Sequence, residues 1–184
     1  MRAWERRRRI ADCQGAGAWA RIGGVDLRRK ILSADTLPGW REELRRQGRK
    51  LVLTNGCFDL LHAGHVSYLE QARGLGDGLL VGVTGDAEVR RIKGPGRPVN
   101  HEADRAAVIA GLESVDAVLI FHEPDACHLI ETARPVVYAK GGDYTLDTLV
   151  QVERRLLEKL GIKIVILPEV PGKSTSAMLA RLKA

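Results

Sequence analysis

Two histidines three residues apart, His62 and His65, close the segment Thr54-Asn55-Gly56-Cys57-Phe58-Asp59-Leu60-Leu61-His62-Ala63-Gly64-His65. An apolar run precedes it, Lys50-Leu51-Val52-Leu53-Thr54, which reads as a buried strand. The stretch from about 64 to 74 reads as a helix. The histidines therefore fall where a helix begins, among unpaired backbone N–H groups at the positive end of its dipole, a setting that suits phosphate. Gly64 has no side chain to hold an anion off the backbone, and Gly56 offers the same on the strand side. Two imidazoles beside a phosphate can donate hydrogen bonds to oxygens that gain charge during phosphoryl or nucleotidyl transfer. A zinc site built from His62, His65 and Cys57 finds no fourth ligand at familiar spacing, and the pattern is not His-Glu-x-x-His, so no protein metal site is expected.

Two other segments imitate ligand-binding loops. Gly172-Lys173-Ser174-Thr175 copies the end of a phosphate-binding Walker loop, but Leu167 stands where its first glycine belongs. Gly15-Ala16-Gly17-Ala18-Trp19-Ala20 copies a dinucleotide fingerprint without a strand in front of it.

The elements that must carry the histidines follow an alternating pattern. Leu37, Trp40 and Leu44 mark a helix capped by Ser33 or Asp35 and ending at Gly48. Leu79–Val83 is the second strand. Residues 91–99, with two glycines, two prolines and three basic residues, read as a loop. Asn100 caps a helix over about 101–113, Ala117–Phe121 is a strand, and Pro124 opens a helix to about Ala133. Val136–Ala139 is a fourth strand. Leu149, Val152, Leu156 and Leu160 mark a helix face, Ile162–Leu167 is a fifth strand, and a short helix closes the chain. Apolar strands between amphipathic helices predict an α/β fold, a Rossmann-like five-stranded parallel sheet with helices on both faces. In such sheets ligands bind beyond the carboxyl ends of the strands.

The composition agrees. With 184 residues, 45% hydrophobic and 28% charged, the chain can bury a core, and no apolar run approaches the roughly 18 residues of a membrane helix. Cys13, Cys57 and Cys127 are odd in number and widely spaced, which fits a reducing cytoplasm and no disulfide framework. The net charge of +6 suggests nucleic acid only until it is located. Residues 1–30 carry nine Lys/Arg against three acids, and residues 31–184 carry twenty of each. The expected organisation is a basic, poorly ordered arm over 1–29 and one domain over 30–184, without membrane insertion and without nucleic acid as a partner.

The His-x-Gly-His segment resembles the signature of the nucleotidyltransferase superfamily that includes cytidylyltransferases and pantetheine-phosphate adenylyltransferase. Within it, the Thr54–His65 string, Lys93-Gly94-Pro95-Gly96-Arg97-Pro98-Val99, Val115-Asp116, Lys140-Gly141-Gly142-Asp143-Tyr144 and Ser174-Thr175 resemble the heptose 1-phosphate adenylyltransferase (ADP-heptose synthase) branch, over about residues 30–182. Thr84 and Ser176 depart from the usual residues of that pattern, and so does the segment between Tyr144 and Gly161.

The resemblance implies transfer of AMP from ATP to a sugar 1-phosphate, D-glycero-β-D-manno-heptose 1-phosphate in this branch, with Mg²⁺ accompanying ATP, a cytoplasmic location and a homodimer. It makes His62, His65 and Lys93 catalytic. Thr54, Asn55, Gly56, Cys57, Phe58, Gly64, Arg105, Ser174 and Thr175 would line the nucleotide site, and Asp59, Asp86, Lys140, Asp143 and Tyr144 the substrate site. Structural accounts stand beside several of these: N-capping for Ser174 and Thr175, a turn for Gly141-Gly142-Asp143, loop shaping for Asp59, a surface ion pair for Arg105. Two other functions remain open on the sequence: a cytidylyltransferase acting on glycerol 3-phosphate or ethanolamine phosphate, and a non-catalytic nucleotide- or RNA-binding module.

Overall fold

The computed structural model describes residues 26–141 and 144–168, together with Gly172, Thr175 and Met178. The arm up to residue 25, Asp143, Ser174 and most of the expected closing helix lie outside the described residues.

A 3₁₀ turn, Leu27–Lys30, leads into β1 (Ile31–Leu32) and α1 (Leu37–Arg46). The expected arm boundary falls inside this turn, where the Lys30 ammonium donates to the carbonyl of Leu112 at 3.0 Å. Thr36 precedes α1, and its hydroxyl accepts from the Ser33 N–H at 2.8 Å, so the chain enters the helix through a serine–threonine turn. There follow β2 (Leu51–Gly56), α2 (Ala63–Arg73), β3 (Gly78–Thr84), α3 (Asp86–Lys93), α4 (Glu102–Ala110), β4 (Ala117–Phe121), α5 (Cys127–Ala133), β5 (Val137–Lys140), α6 (Gln151–Lys159) and β6 (Lys163–Ile166). No helix among the described residues is long and apolar enough to cross a membrane.

The strands form one sheet in the order β1-β4-β3-β2-β5-β6, and every pairing is parallel. The sheet has six strands, not the five expected. The additional strand is β1, two residues long at the sheet edge, too short to show any hydrophobic period. Because strand side chains alternate in direction, β2 feeds both cores. Leu51 and Leu53 pack with Leu44 of α1, Leu129 and Ile130 of α5 and Leu157 of α6. Val52 packs on the opposite face with Leu69 of α2 and Ile109 of α4.

Two helices differ from expectation. α3 overlaps the expected loop over 91–99, because the Gly/Pro density after residue 93 dominates the local composition. Yet Asp86 and Glu88 in its first turn, and Arg90, Arg91 and Lys93 in its last, give it the charge order a helix dipole favours. Lys93 therefore ends a helix rather than sitting in mid-loop. In α6 the inward face runs through Glu153 and Leu157, while Val152 is half exposed.

The chain moves outward from β2 to β3 and β4 on one side, then returns to place β5 against the other side of β2. The topological switch point thus lies between the carboxyl ends of β2 and β5, the position where open α/β sheets bind ligands.

Candidate active site

A cleft of about 400 Å³ opens at that switch point. Its floor is the end of β2, where Asn55 and Gly56 run into Cys57 and Phe58. Phe58 adopts a left-handed conformation at φ 46°, which is costly for an aromatic residue. That turn lays its ring over Gly56, where a Cβ would stand 3.2 Å from it, and edge-on to His65 with centroids 5.5 Å apart. The absence of a side chain at Gly56 therefore makes room for the ring that backs a histidine.

His62 and His65 open α2 as a reciprocal capping pair, and their rings stack at 3.9 Å between centroids. The His62 N–H donates to Nδ1 of His65 at 3.4 Å. Nδ1 is thereby the acceptor, so a neutral His65 carries its proton on Nε2. Burial, with the neighbouring His62 adding to it, lowers the His65 pKa from 6.5 to about 4. His65 is a neutral N–H donor at pH 7, suited to stabilising phosphate oxygens rather than to delivering a proton.

Lys140, which also lines the cleft, ends β5. Its ammonium donates to Oδ1 of Asn55 at 2.7 Å and lies 5.0 Å from the centre of the Tyr144 ring. The Tyr138 hydroxyl, buried between β5 and α6, is 2.7 Å from the same Asn55 oxygen and 2.7 Å from Oε2 of Glu153. Glu153 Oε1 accepts from the N–H of Ala126 at 2.8 Å. Burial, then the Glu153 carboxylate, pushes the Tyr138 phenol well above its ordinary pKa, so it remains protonated. This chain fixes the Asn55 amide with its oxygen toward β5.

Asn55, Gly56, Cys57, Phe58, Asp59, His62, Gly64, His65, Lys93, Lys140, Tyr144 and Thr175 all line the cleft. Burial raises the Cys57 thiol pKa, so it stands as a neutral wall. The Thr175 hydroxyl donates to the carbonyl of Leu60 at 3.2 Å, tying the end of the chain to the histidine loop.

Of the expected site residues that the structure describes, Thr54, Asp86 and Arg105 are not among those lining the cleft. Thr54 is buried, and its hydroxyl is 2.6 Å from that of Tyr68, which donates to the carbonyl of Ala139 at 3.0 Å. Arg105, expected at the nucleotide or in a surface ion pair, is placed inside the protein and forms a buried ion pair instead. Its side chain is fully buried and donates to the carbonyls of Cys57, Asn100 and Thr84, and to the Asp86 carboxylate at 2.8 Å. Asp86 serves that staple, also lying 3.1 Å from His101. Burial opposes its ionisation, but the bonds from Arg105 and His101 prevail and hold its pKa below the ordinary value. Asp59 is spent on loop shaping. Oδ1 accepts from the N–H groups of Val99 at 2.7 Å and Asn100 at 3.2 Å, and Oδ2 from Arg97.

Of the three basic residues in the 91–99 segment, Arg91 pairs with Glu88 and Arg97 with Asp59. Sequence reasoning missed Arg97, Tyr138 and Glu153. The signal for Glu153 was a carboxylate four residues from both Leu149 and Leu157 on an otherwise apolar face. No group of three or more His, Cys, Asp or Glu among the described residues could hold a metal ion.

An α/β sheet with a phosphate-suited helix start at its switch point, and a cation from β5 in the same cleft, defines a nucleotide-binding enzyme of the nucleotidyl-transfer type. The cytidylyltransferase-like family model matches residues 53–182, and the chain belongs to that family of nucleotidyltransferases. It is 49% identical over 153 residues to the bifunctional protein HldE of Methylobacillus flagellatus, which covers 83% of this chain and 31% of that protein. It is 47% identical to the bifunctional protein HldE of Mesorhizobium japonicum, covering 83% of this chain and 29% of that one. The chain thus spans about a third of the length of these relatives. The crystal structure of the lipopolysaccharide core biosynthesis protein of Thermoplasma volcanium matches with a TM-score of 0.57 and 31% identity, over 67% of this chain and 98% of that one. A pantoate-β-alanine ligase from Francisella tularensis shares the fold at a TM-score of 0.55 and 15% identity, over 83% of this chain and 76% of that one.

Proposed function

We propose that this chain transfers AMP from ATP to a sugar 1-phosphate, D-glycero-β-D-manno-heptose 1-phosphate, releasing pyrophosphate and giving ADP-heptose for lipopolysaccharide synthesis. The observation that carries this reading is the stacked His62–His65 pair at the start of α2, which lines the switch-point cleft together with Lys140. The motifs of the heptose branch, the identity to the HldE proteins and the likeness to a lipopolysaccharide core biosynthesis protein support the choice of substrate.

A phosphate oxygen of the sugar 1-phosphate attacks the α-phosphorus of ATP. The new P–O bond forms as the bond to the bridging oxygen of the β-phosphate breaks, and pyrophosphate departs with the electron pair. The attacking group is already an anion, so no general base is required. The protein's work is to align two polyanions and offset their repulsion. The His65 Nε2–H, with His62 stacked beside it, would donate to the α-phosphate oxygens as charge grows on them. Lys93, from the end of α3, would reach the triphosphate, and Thr175, with Ser174, the β- and γ-phosphates. Lys140, Asp143 and Tyr144 would hold the acceptor.

Mg²⁺ supplies further positive charge on the phosphates when bound. The cleft fits an ion that arrives on ATP rather than a caged one. Among the described residues lining the cleft, the Asp59 and Glu153 oxygens are already engaged and Glu88 is paired with Arg91, which leaves Asp125, whose Oδ1 accepts from the Cys127 N–H at 2.9 Å, as the carboxylate with an oxygen to offer a ligand. A cytoplasmic homodimer completes the proposal.

The test is pyrophosphate release measured over a matrix of nucleoside triphosphates and phosphorylated acceptors. Turnover with ATP and heptose 1-phosphate alone is expected. A preference for CTP with glycerol 3-phosphate or ethanolamine phosphate selects a cytidylyltransferase, and no turnover with any pair selects a binding module.

A further inference from the structure

Two helix arginines spend a pair of guanidinium nitrogens on a single carboxylate. Arg45 donates through Nε and Nη2 to the two oxygens of Glu42, each at 2.8 Å, and Arg91 engages Glu88 through the same two nitrogens. Arg97 is different. Only its Nε bonds to Asp59, on Oδ2, because Oδ1 is occupied by the Val99 and Asn100 N–H groups. Both Nη groups are left without a partner among the described residues, although the side chain is only 16% exposed and lines the cleft with Lys93 and the two histidines. Asp59, 1% exposed at its side chain, is fixed by the loop it caps. The guanidinium is therefore held by one edge with its fork unspent. A planar fork of N–H donors matches two oxygens of a phosphate, and pre-orientation reduces the entropy lost on binding.

We propose that Arg97 is a phosphate-binding residue of this site, with Asp59 as its positioning residue, and that its Nη groups clasp a phosphoryl group of one of the two substrates. The assignment rests on the functional reading above for the identity of those substrates, and on the geometry alone for the phosphate. It gives the Lys93–Val99 segment a purpose beyond connecting two helices. The loop folds onto Asp59 so that Arg97 arrives in the cleft already aimed.

Two substitutions separate this role from a structural one. In R97Q the side-chain amide nitrogen takes the position of Nε, so the bond to Asp59 is kept while the fork and its charge are lost. In R97K the charge is kept, but a methylene replaces Nε, and one ammonium cannot serve both Asp59 and a ligand. Calorimetric titrations of the full chain and both variants with ATP, inorganic pyrophosphate and heptose 1-phosphate read the affinities, with melting temperatures alongside. R97Q is expected to bind at least one of these ligands tenfold or more weakly, while its melting temperature stays closer to the parent's than that of D59N. R97K is expected to lose affinity for the same ligand. Loss for ATP and pyrophosphate places the fork on the triphosphate, and loss for heptose 1-phosphate alone places it on the acceptor. R97Q that binds all three within twofold of the parent overturns the assignment. A parent chain that binds ATP but turns over no sugar 1-phosphate refutes the functional reading and leaves the R97Q comparison for ATP and pyrophosphate intact.

Discussion

Arg105 offers the sharpest contrast between a residue that binds substrate and one that builds the site. Its buried guanidinium joins three separate stretches of chain: Cys57 after β2, Thr84 and Asp86 where β3 turns into α3, and Asn100 before α4. Replacing it with methionine, similar in length and apolar, leaves three carbonyl oxygens without that donor. Only the bond to Thr84 is fully buried, so that orphan costs about 1–3 kcal/mol while water reaches the other two carbonyls, and removing one partner of a buried ion pair costs about 3–5 kcal/mol. Asp86 retains His101 and is 23% exposed at its side chain, so water recovers part of the second loss. The separate losses overlap, and a total near 4 kcal/mol is expected for Arg105→Met. In a domain of this size, 1 kcal/mol moves the melting temperature by roughly 2–4 °C, so the fall should be about 8–16 °C.

Differential scanning fluorimetry and urea denaturation measure that fall, and calorimetry at 15 °C, where the variant remains folded, measures ATP binding. Arg105→Lys should sit between the parent and the methionine variant, since one ammonium cannot reach three carbonyls. A melting temperature lowered by less than about 3 °C, together with a tenfold or greater loss of ATP affinity, would refute the staple and make Arg105 a phosphate ligand.

His62→Ala and His65→Ala should each lower turnover by about 10²–10³ in a folded protein, the typical cost of one pre-organised donor. Single-turnover pyrophosphate release checks this, and near-normal rates remove that histidine from the chemistry. Lys93→Ala should lower kcat substantially with little change in melting temperature, because an exposed lysine at a helix end adds little to the core; an unchanged kcat rules it out. The His65 pKa, lowered to about 4 from 6.5, makes the unfolded chain the better proton binder between those values. Stability should therefore be flat above pH 6.5 and fall as the pH drops toward 4, by no more than about 2 kcal/mol after allowing for solvent at a partly exposed ring. Urea titrations of the parent and His65→Gln isolate the effect as a difference between the two curves, and parallel curves would contradict the burial argument.

The parts of this molecule legible from sequence are those whose cause is local. A run such as Ala117–Phe121 is a strand because both of its faces are covered, and continuous apolarity announces that. The histidine pair is equally local, since strand, glycine and helix start lie within twelve residues of Thr54–His65. β1 escaped because two residues carry no period, and α3 because a neighbouring Gly/Pro loop masked its ordered charges.

Arg105 and Arg97 are a different case, and they show why site residues are harder to read than the fold. As a bare residue type, an arginine near a phosphate-binding motif predicts phosphate contact. The outcome depends on acceptors 21 and 48 residues away for Arg105, and on a carboxylate 38 residues away for Arg97. Where those acceptors engage Nε, Nη1 and Nη2 alike, the guanidinium is consumed and becomes a fastener. Where a single carboxylate oxygen remains to be offered, the fork is oriented but unspent. The difference between a fastener and a ligand-binding arm is thus set by how many acceptors the fold brings to the guanidinium. Loop closure onto Asp59 decides that count for Arg97, and no window of sequence around either arginine contains it.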